Sequence, residues 1–309
     1  MAMARTLYIT HPACRLHDAG PGHPECPQRL AAIDAALQNL NGLERIEDPP
    51  AATDEDLLRA HSRTHVDAIH AAQPDPGVRV AVDPDTHINE HSIRAAHHAA
   101  GATIEGTRRV LEGEARNVFC AVRPPGHHAE RDRAMGFCLF NNVAIAARWA
   151  LDVHGLSRVA IADFDVHHGN GTEDIVRDDP RALFCSSFQH PFYPDRPLSR
   201  REHLVHTPLA AGTDGPAFRA AIERDWLPAL ERFRPELILI SAGFDGHRDD
   251  PLAGLNLLES DFEWVTRQLM AIAERHATGR LVSVLEGGYD LAALARSVRS
   301  HVHALTENT

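Results

Sequence analysis

Short apolar runs recur along the chain, separated by longer stretches whose apolar residues fall at helical spacing. Residues 7–9, 117–122, 158–163, 183–188, 237–240 and 281–285 form the short runs and read as buried strands. Residues 29–40, 92–112, 142–154, 215–233, 261–275 and the segment after Tyr289 read as helices. In the first of these, Leu30, Ile33 and Leu37 are spaced to share one face. Strands alternating with helices predict an α/β fold, a mostly parallel central sheet with helices on both faces. Residues 11–28 and 189–208 are punctuated by Gly, Pro and His and are expected to be irregular. No repeat, low-complexity tract or linker divides the chain, so residues 1–309 are expected to form one domain.

The run at 158–163 keeps its alternation where it turns polar. It reads Arg158-Val-Ala-Ile-Ala-Asp163-Phe-Asp165-Val-His167, and a continuing strand would put Asp163, Asp165 and His167 on one face. Two carboxylates and an imidazole gathered at the end of a buried strand cost several kcal/mol unless something neutralises them. Their oxygens and nitrogen suit a divalent metal. Polar groups also follow three other apolar runs: His127 and His128, then Asp245, then Tyr289. In an open parallel sheet the ligand site lies beyond the carboxyl ends of the strands. Four clusters at four such ends therefore predict one shared site. The pair His97-His98 is set aside, because adjacent helical residues point about 100° apart.

Composition narrows the class. The chain has 309 residues, 43% hydrophobic and 24% charged, as ordinary globular proteins do. No run approaches the ~20 apolar residues of a membrane span, and residues 6–10 are too short for a secretory signal core. Cys14, Cys26, Cys120, Cys138 and Cys185 form no CxxC, which points to a reducing cytoplasm and no cysteine-bound zinc. A net charge of -12 argues against a nucleic-acid partner and permits weak attraction of cationic substrates.

Asp165, His167 and Asp245 would supply three protein ligands and leave a position open, as catalytic zinc sites do. Asp163, two residues earlier, reads as a deeper group that orients a histidine or holds a monovalent cation. His127 and His128 are candidates for proton transfer, with Asn170 or Asp163 setting their tautomers. Tyr289 is a neutral donor for a developing oxyanion. Phe137 and Tyr193 either wall a tunnel or pack the core. With no evident nucleophilic Ser or Cys, these roles describe hydrolysis of an amide by direct attack of water.

These strings resemble the zinc-dependent histone deacetylase superfamily, which includes bacterial deacetylase-like amidohydrolases and acetylpolyamine amidohydrolases. The matching text is Arg123-Pro-Pro-Gly-His-His-Ala129, Gly136-Phe-Cys138, Asp163-Phe-Asp-Val-His-His-Gly-Asn170, Ser241-Ala-Gly-Phe-Asp245 and Leu285-Glu-Gly-Gly-Tyr289. The wording is closer to the class II branch. The resemblance implies an arginase/deacetylase-type fold and one zinc on Asp165, His167 and Asp245. It implies His128 as general base and acid, His127 as its electrostatic partner and Tyr289 as the group polarising the amide carbonyl. It also implies potassium near the zinc, on Asp163, Asp165, His167, Ser187 and the backbone of Phe188. Asn170 belongs to the same supporting shell. A tunnel is expected from Gly136, Phe137, Tyr193 and Leu252, and Arg29 matches a position linked to acetate release.

The implied substrate is an acylated lysine in a peptide or protein, or a similar small acylated amine, and a homo-oligomer is left open. Leu252 stands after Asp250-Pro251, where some polyamine-selective members carry glutamate. Residues 194–200 also depart from the Pro-Gly-Thr-Gly-like turn common in the family. The alternatives are an acetylpolyamine or other small-molecule amidohydrolase, a two-manganese ureohydrolase on a related fold, and an acyl-binding module without catalysis.

Overall fold

The computed structural model of the protein describes residues 6–307. Eight strands form one sheet: β1 (Thr6–Ile9), β2 (Leu43–Ile46), β5 (Asn117–Cys120), β6 (Val159–Asp163), β7 (Ala182–Gln189), β8 (Leu204–Leu209), β9 (Leu237–Ala242) and β10 (Leu281–Leu285). Their order is β2-β1-β5-β10-β9-β6-β7-β8, and every pairing is parallel. The remaining pair, β3 (Val80–Asp83) and β4 (Thr86–Ile88), is a separate antiparallel hairpin. The result is a single α/β domain built on a parallel sheet.

The nine helices among the described residues are α1 (Gln28–Leu37), α2 (Asp54–Leu57), α3 (Arg63–Ala71), α4 (Ser92–Leu111), α5 (Asn142–Asp152), α6 (Asn170–Val176), α7 (Gly215–Phe233), α8 (Glu259–His276) and α9 (Leu291–Glu307). Helices α4 and α5 pack together, and α1, α9, α8 and α7 form a second continuous row. Strand residues are buried throughout β5, β6, β7, β9 and β10, which explains why these segments read as continuous apolar runs.

The four strands that end in polar clusters are contiguous: β5-β10-β9-β6 fills the middle of the sheet. Register aligns their carboxyl ends, with Val284 opposite Cys120, Leu285 opposite Ala242, and Asp163 opposite Ser241. Beneath that edge lies an aromatic layer. Phe164 and Phe244, each next to an acidic residue, pack at 5.9 Å, and Phe244 meets Phe262 at 5.2 Å. These rings anchor the loops that carry Asp165 and Asp245.

Two expectations are corrected. Strand β6 stops at Asp163, so Asp165 and His167 do not extend it. Oδ1 of Asp163 accepts from the N–H of Asp165 at 3.1 Å, and Oδ1 of Asp165 accepts from the N–H of His167 at 2.9 Å. Asx turns thus replace the ladder. Second, the segment 189–208 contains most of β8, an edge strand. Pro208 is tolerated there because an edge leaves one row of N–H groups unused.

Candidate active site

Asp165, His167 and Asp245 converge from the ends of β6 and β9, with one ligand atom of each within 4.8 Å of the others. Nδ1 of His167 lies 3.0 Å from Oδ1 of Asp165 and 3.2 Å from Oδ2 of Asp245. All three are buried. Burial opposes a charge on the His167 ring, but the two carboxylates outweigh it and draw its pKa up to about 10. The same negative cradle is suited to a metal cation.

Two features suit that cradle to a cation. Oδ2 of Asp245 is buried and, apart from its 3.2 Å ion-pair contact with Nδ1 of His167, meets no donor, while its Oδ1 accepts from the N–H of Val166 at 2.9 Å. A buried carboxylate oxygen with so little compensation is costly in a protein interior. Gly287 approaches from the other side and donates its N–H to Oδ2 of Asp165 at 2.8 Å. A Cβ at Gly287 would stand 2.0 Å from Oδ2 of Asp245 and 2.6 Å from Oδ2 of Asp165. Two carboxylates and one imidazole with space between them fit zinc with an open coordination position.

His127 and His128 follow β5 in a loop pinned by Glu286, whose Oε2 accepts from the N–H of Gly126 at 2.7 Å and of His127 at 3.1 Å. The two rings are 4.0 Å apart and have different partners. Nδ1 of His127 lies 3.0 Å from Oδ2 of Asp163. Burial disfavours its charge, yet Asp165 and Asp163 outweigh burial and lift its pKa to about 10. Nδ1 of His128 lies 2.7 Å from Oδ1 of Asn170, at the start of α6. Burial, then the charges of His127 and His167, hold His128 well below the ordinary histidine value. Nδ2 of Asn170 donates to Oε1 of Glu130 at 2.7 Å, which fixes which way the amide faces.

A cavity of about 230 Å³ leads inward to His128, His167 and Tyr289. Its walls include Phe137, Phe192, Tyr193 and Leu252. Phe192 stacks on His167 at 5.3 Å, and Phe137 meets the Tyr289 ring edge-on at 5.9 Å. Gly136 has φ +57°, and a Cβ there would lie 2.3 Å from Cδ2 of His128, so only glycine fits beside the base. Phe137 also has a left-handed backbone, φ +69°, held by its N–H donating to Oγ1 of Thr86 at 3.0 Å. A wider groove of about 700 Å³ beside β8 and α7 is lined by arginines such as Arg200 and Arg232 and contains none of these groups.

Tyr289 is set by its neighbours. Its N–H donates to Oδ2 of Asp250 at 2.6 Å, and the Arg29 guanidinium carbon lies 5.1 Å over its ring. Burial, then Asp245, push its hydroxyl well above the usual phenol value, so it stays a neutral donor. Arg29 is fully buried and donates Nε to the carbonyl of Gly288 at 2.7 Å and Nη1 to Oε1 of Glu25 at 3.0 Å. Ser187 and Phe188 lie buried on β7 beside the end of β6.

The chain matches the histone deacetylase domain over residues 23–305. It belongs to the histone deacetylase family. Among relatives, it is 38% identical to a histone deacetylase-like amidohydrolase of Pseudomonas aeruginosa, over 93% of this chain and 82% of that protein. It is 35% identical to the polyamine deacetylase HDAC10 of Danio rerio, over 97% of this chain and 45% of that protein. The crystal structure of the HDA15 HD domain superposes with a TM-score of 0.91 at 32% identity, covering 99% of this chain and 90% of that one. Family membership supports hydrolysis of an acetyl-type amide.

The structure brings Asp165, His167 and Asp245 together, sets His127 against Asp163 and His128 against Asn170, and lines the cavity with Gly136, Phe137, Tyr193, Leu252 and Tyr289. Arg29 lies under Tyr289, while Ser187 and Phe188 stay on the neighbouring strand β7. It also adds residues the sequence reading did not use. Asp85 accepts from the N–H of Gly136 at 3.0 Å and lines the cavity together with Tyr193. Asp250 holds the Tyr289 turn, and Glu130 holds Asn170. Phe192 was visible only as the neighbour of Tyr193. The Asp-Pro pairs at 83–84 and 250–251 are turn-forming text, but nothing in them specifies what the turns support.

Proposed function

We propose that this protein is a zinc-dependent deacylase that hydrolyses the amide of an acylated lysine side chain or a similar amine. The observation that carries the reading is the buried cluster of Asp165, His167 and Asp245, whose Oδ2 has no partner but the His167 ring, beside a neutral His128. Zinc held by Asp165, His167 and Asp245 would polarise the substrate carbonyl and strengthen water as a nucleophile at neutral pH. Potassium is proposed beside it, toward Asp163, Ser187 and Phe188.

The protein's own groups do the rest. The Nδ1–H of His128 donates a hydrogen bond to Oδ1 of Asn170, which leaves Nε2 as the lone pair that accepts a proton from the attacking water. His127, kept charged by Asp165 and Asp163, favours the negative charge that grows on the carbonyl oxygen. The Tyr289 hydroxyl donates to that oxygen from the cavity wall. His128 then returns its proton to the departing amine nitrogen, so the amide C–N bond breaks to a carboxylic acid and a free amine. Phe137, Phe192 and Tyr193 exclude water along the acyl chain. Leu252 presents no charge at the cavity, which favours an acyl-lysine over a polycationic amine.

The relative named a polyamine deacetylase keeps the acetylpolyamine reading as the second choice. Hydrolysis of acetyl-lysine peptides and acetylated polyamines by the zinc-loaded protein tests both. Faster turnover of the peptide supports the proposal, and faster turnover of the polyamine replaces the substrate class. No hydrolysis of either by zinc-loaded protein would contradict the deacylase reading.

A further inference from the structure

Away from the active site, the helical pair His97-His98 diverges as its spacing requires. His98 stacks on His11, centroids 3.4 Å apart and planes 4° from parallel. His97 turns the other way and meets His70 at the end of α3, Nε2 to Nε2 at 2.9 Å. Nδ1 of His97 lies 2.8 Å from the carbonyl of Ala52. A carbonyl only accepts, so this nitrogen carries the hydrogen and Nε2 of the neutral ring is a bare lone pair. An outer hydrogen bond of this kind is how proteins orient a metal-ligating histidine. Asp54, the first residue of α2, brings Oδ1 to 3.8 Å from Nε2 of His70.

We propose that Asp54, His70 and His97 form a second metal site, for a zinc-class divalent ion distinct from the one assigned to the active site. The three ligand atoms lie within 4.8 Å of one another. Tetrahedral zinc with bonds of about 2.0–2.1 Å spaces its ligand atoms about 3.3 Å apart. Two separations, 2.9 Å and 3.8 Å, fall on either side of that value and the third is within 4.8 Å, so closure is a matter of side-chain adjustment. Without metal, one of the two facing Nε2 atoms must carry a hydrogen. A bound ion replaces it and lets both neutral rings contribute lone pairs.

The ligands come from three helices, so the ion ties α2 and α3 to α4. The His70 and Asp54 side chains are 33% and 48% exposed, which leaves water access to the fourth position. Arg63 stands 3.8 Å from the other carboxylate oxygen of Asp54 and leaves Oδ1 available. Two imidazoles with one carboxylate select zinc, nickel or copper over magnesium or calcium.

The test is equilibrium dialysis of the full chain against Zn²⁺, with metal per chain measured for wild type, His70→Ala and His97→Gln, and with thermal unfolding and hydrolysis recorded on the same samples. Wild type is expected to hold one more equivalent than either variant. Added zinc should raise the wild-type Tm beyond its effect on the variants, and basal hydrolysis should be unchanged. Asp54→Asn should weaken the extra site at least tenfold without unfolding the chain. Equal metal content in wild type and both histidine variants, or an equal zinc-induced Tm shift in all, would overturn the assignment.

Discussion

The rings of His127 and His128 are sequence neighbours 4.0 Å apart, and they are held in opposite protonation states. Asp163 gives His127 a counter-charge, whereas His128 meets only the neutral amide of Asn170. Two adjacent cations in a buried site would repel strongly. Charging one therefore keeps the other neutral and available as a base. His128→Ala should lower kcat by about 10²–10⁴-fold with zinc content unchanged. Wild-type turnover in that variant would remove His128 from the chemistry.

Tyr289 is the group placed to meet the developing oxyanion. Tyr289→Phe keeps the ring between Phe137 and Arg29 and deletes only the hydroxyl. The expected loss in kcat is about 10²–10³-fold, with zinc binding retained. Steady-state kinetics beside a metal assay checks both halves of that statement.

Asp250 acts through Tyr289. One carboxylate oxygen accepts from the N–H groups of Tyr289 and Asp290, and the other accepts from the N–H of Leu252 at 3.0 Å. Asp250→Ala should release both sides of the cavity, lowering kcat at least about tenfold (roughly 1.4 kcal/mol or more of lost transition-state stabilisation). Zinc content should not change. Unaltered kinetics would show that the turn holds itself.

Much of this arrangement was legible in the chain because it rests on strand ends. The spans of α7 and β10 coincide with the sequence reading, and the polar groups after β5, β6, β9 and β10 stand at one sheet edge. What was not legible depends on partners far apart in sequence. Asp85, Glu130 and Asp250 support Gly136, Asn170 and Tyr289 from loops with no period of their own. The Asx turns at Asp163 and Asp165 imitate strand alternation in the sequence while bending the backbone away from it. Strand β8 was hidden by Pro208 and by partly exposed residues such as His206, both expected at an edge.

Gly136 fixes the approach of the cavity wall to His128. A methyl group there would collide with Cδ2 of that ring and strain a positive-φ backbone by about 1–2 kcal/mol. Gly136→Ala should therefore cost more in kcat than in stability, with at least a tenfold fall in turnover and a Tm lowered by only a few degrees. Comparable losses in both would mean that the loop collapses rather than shifts.

Stability should fall in acid through buried neutral histidines. Burial, then His65, lower His61 to about 3, and burial lowers His301 to about 3. His61 accepts from the N–H of Asn141 at 2.9 Å, and His301 lies 2.6 Å from Thr266 Oγ1 and 2.8 Å from Ser283 Oγ. Both pKa values are depressed in the folded state, so their contribution is complete above about 6.5 and is lost as pH falls toward 3. The expected slope is about 1.4 kcal/mol per pH unit for each histidine. Denaturant unfolding between pH 7 and 5 should show this decline, and His301→Gln should flatten it by one histidine's share.

The most direct measurement is zinc titration into metal-stripped protein while acetyl-lysine peptide hydrolysis is followed, for wild type and Asp245→Ala. Activity should return with the zinc that Asp165, His167 and Asp245 hold, saturating as one equivalent fills that site, and Asp245→Ala should recover essentially none. Full hydrolysis by stripped protein, or equal recovery in Asp245→Ala, would contradict a single ion at these three side chains as the centre of the chemistry.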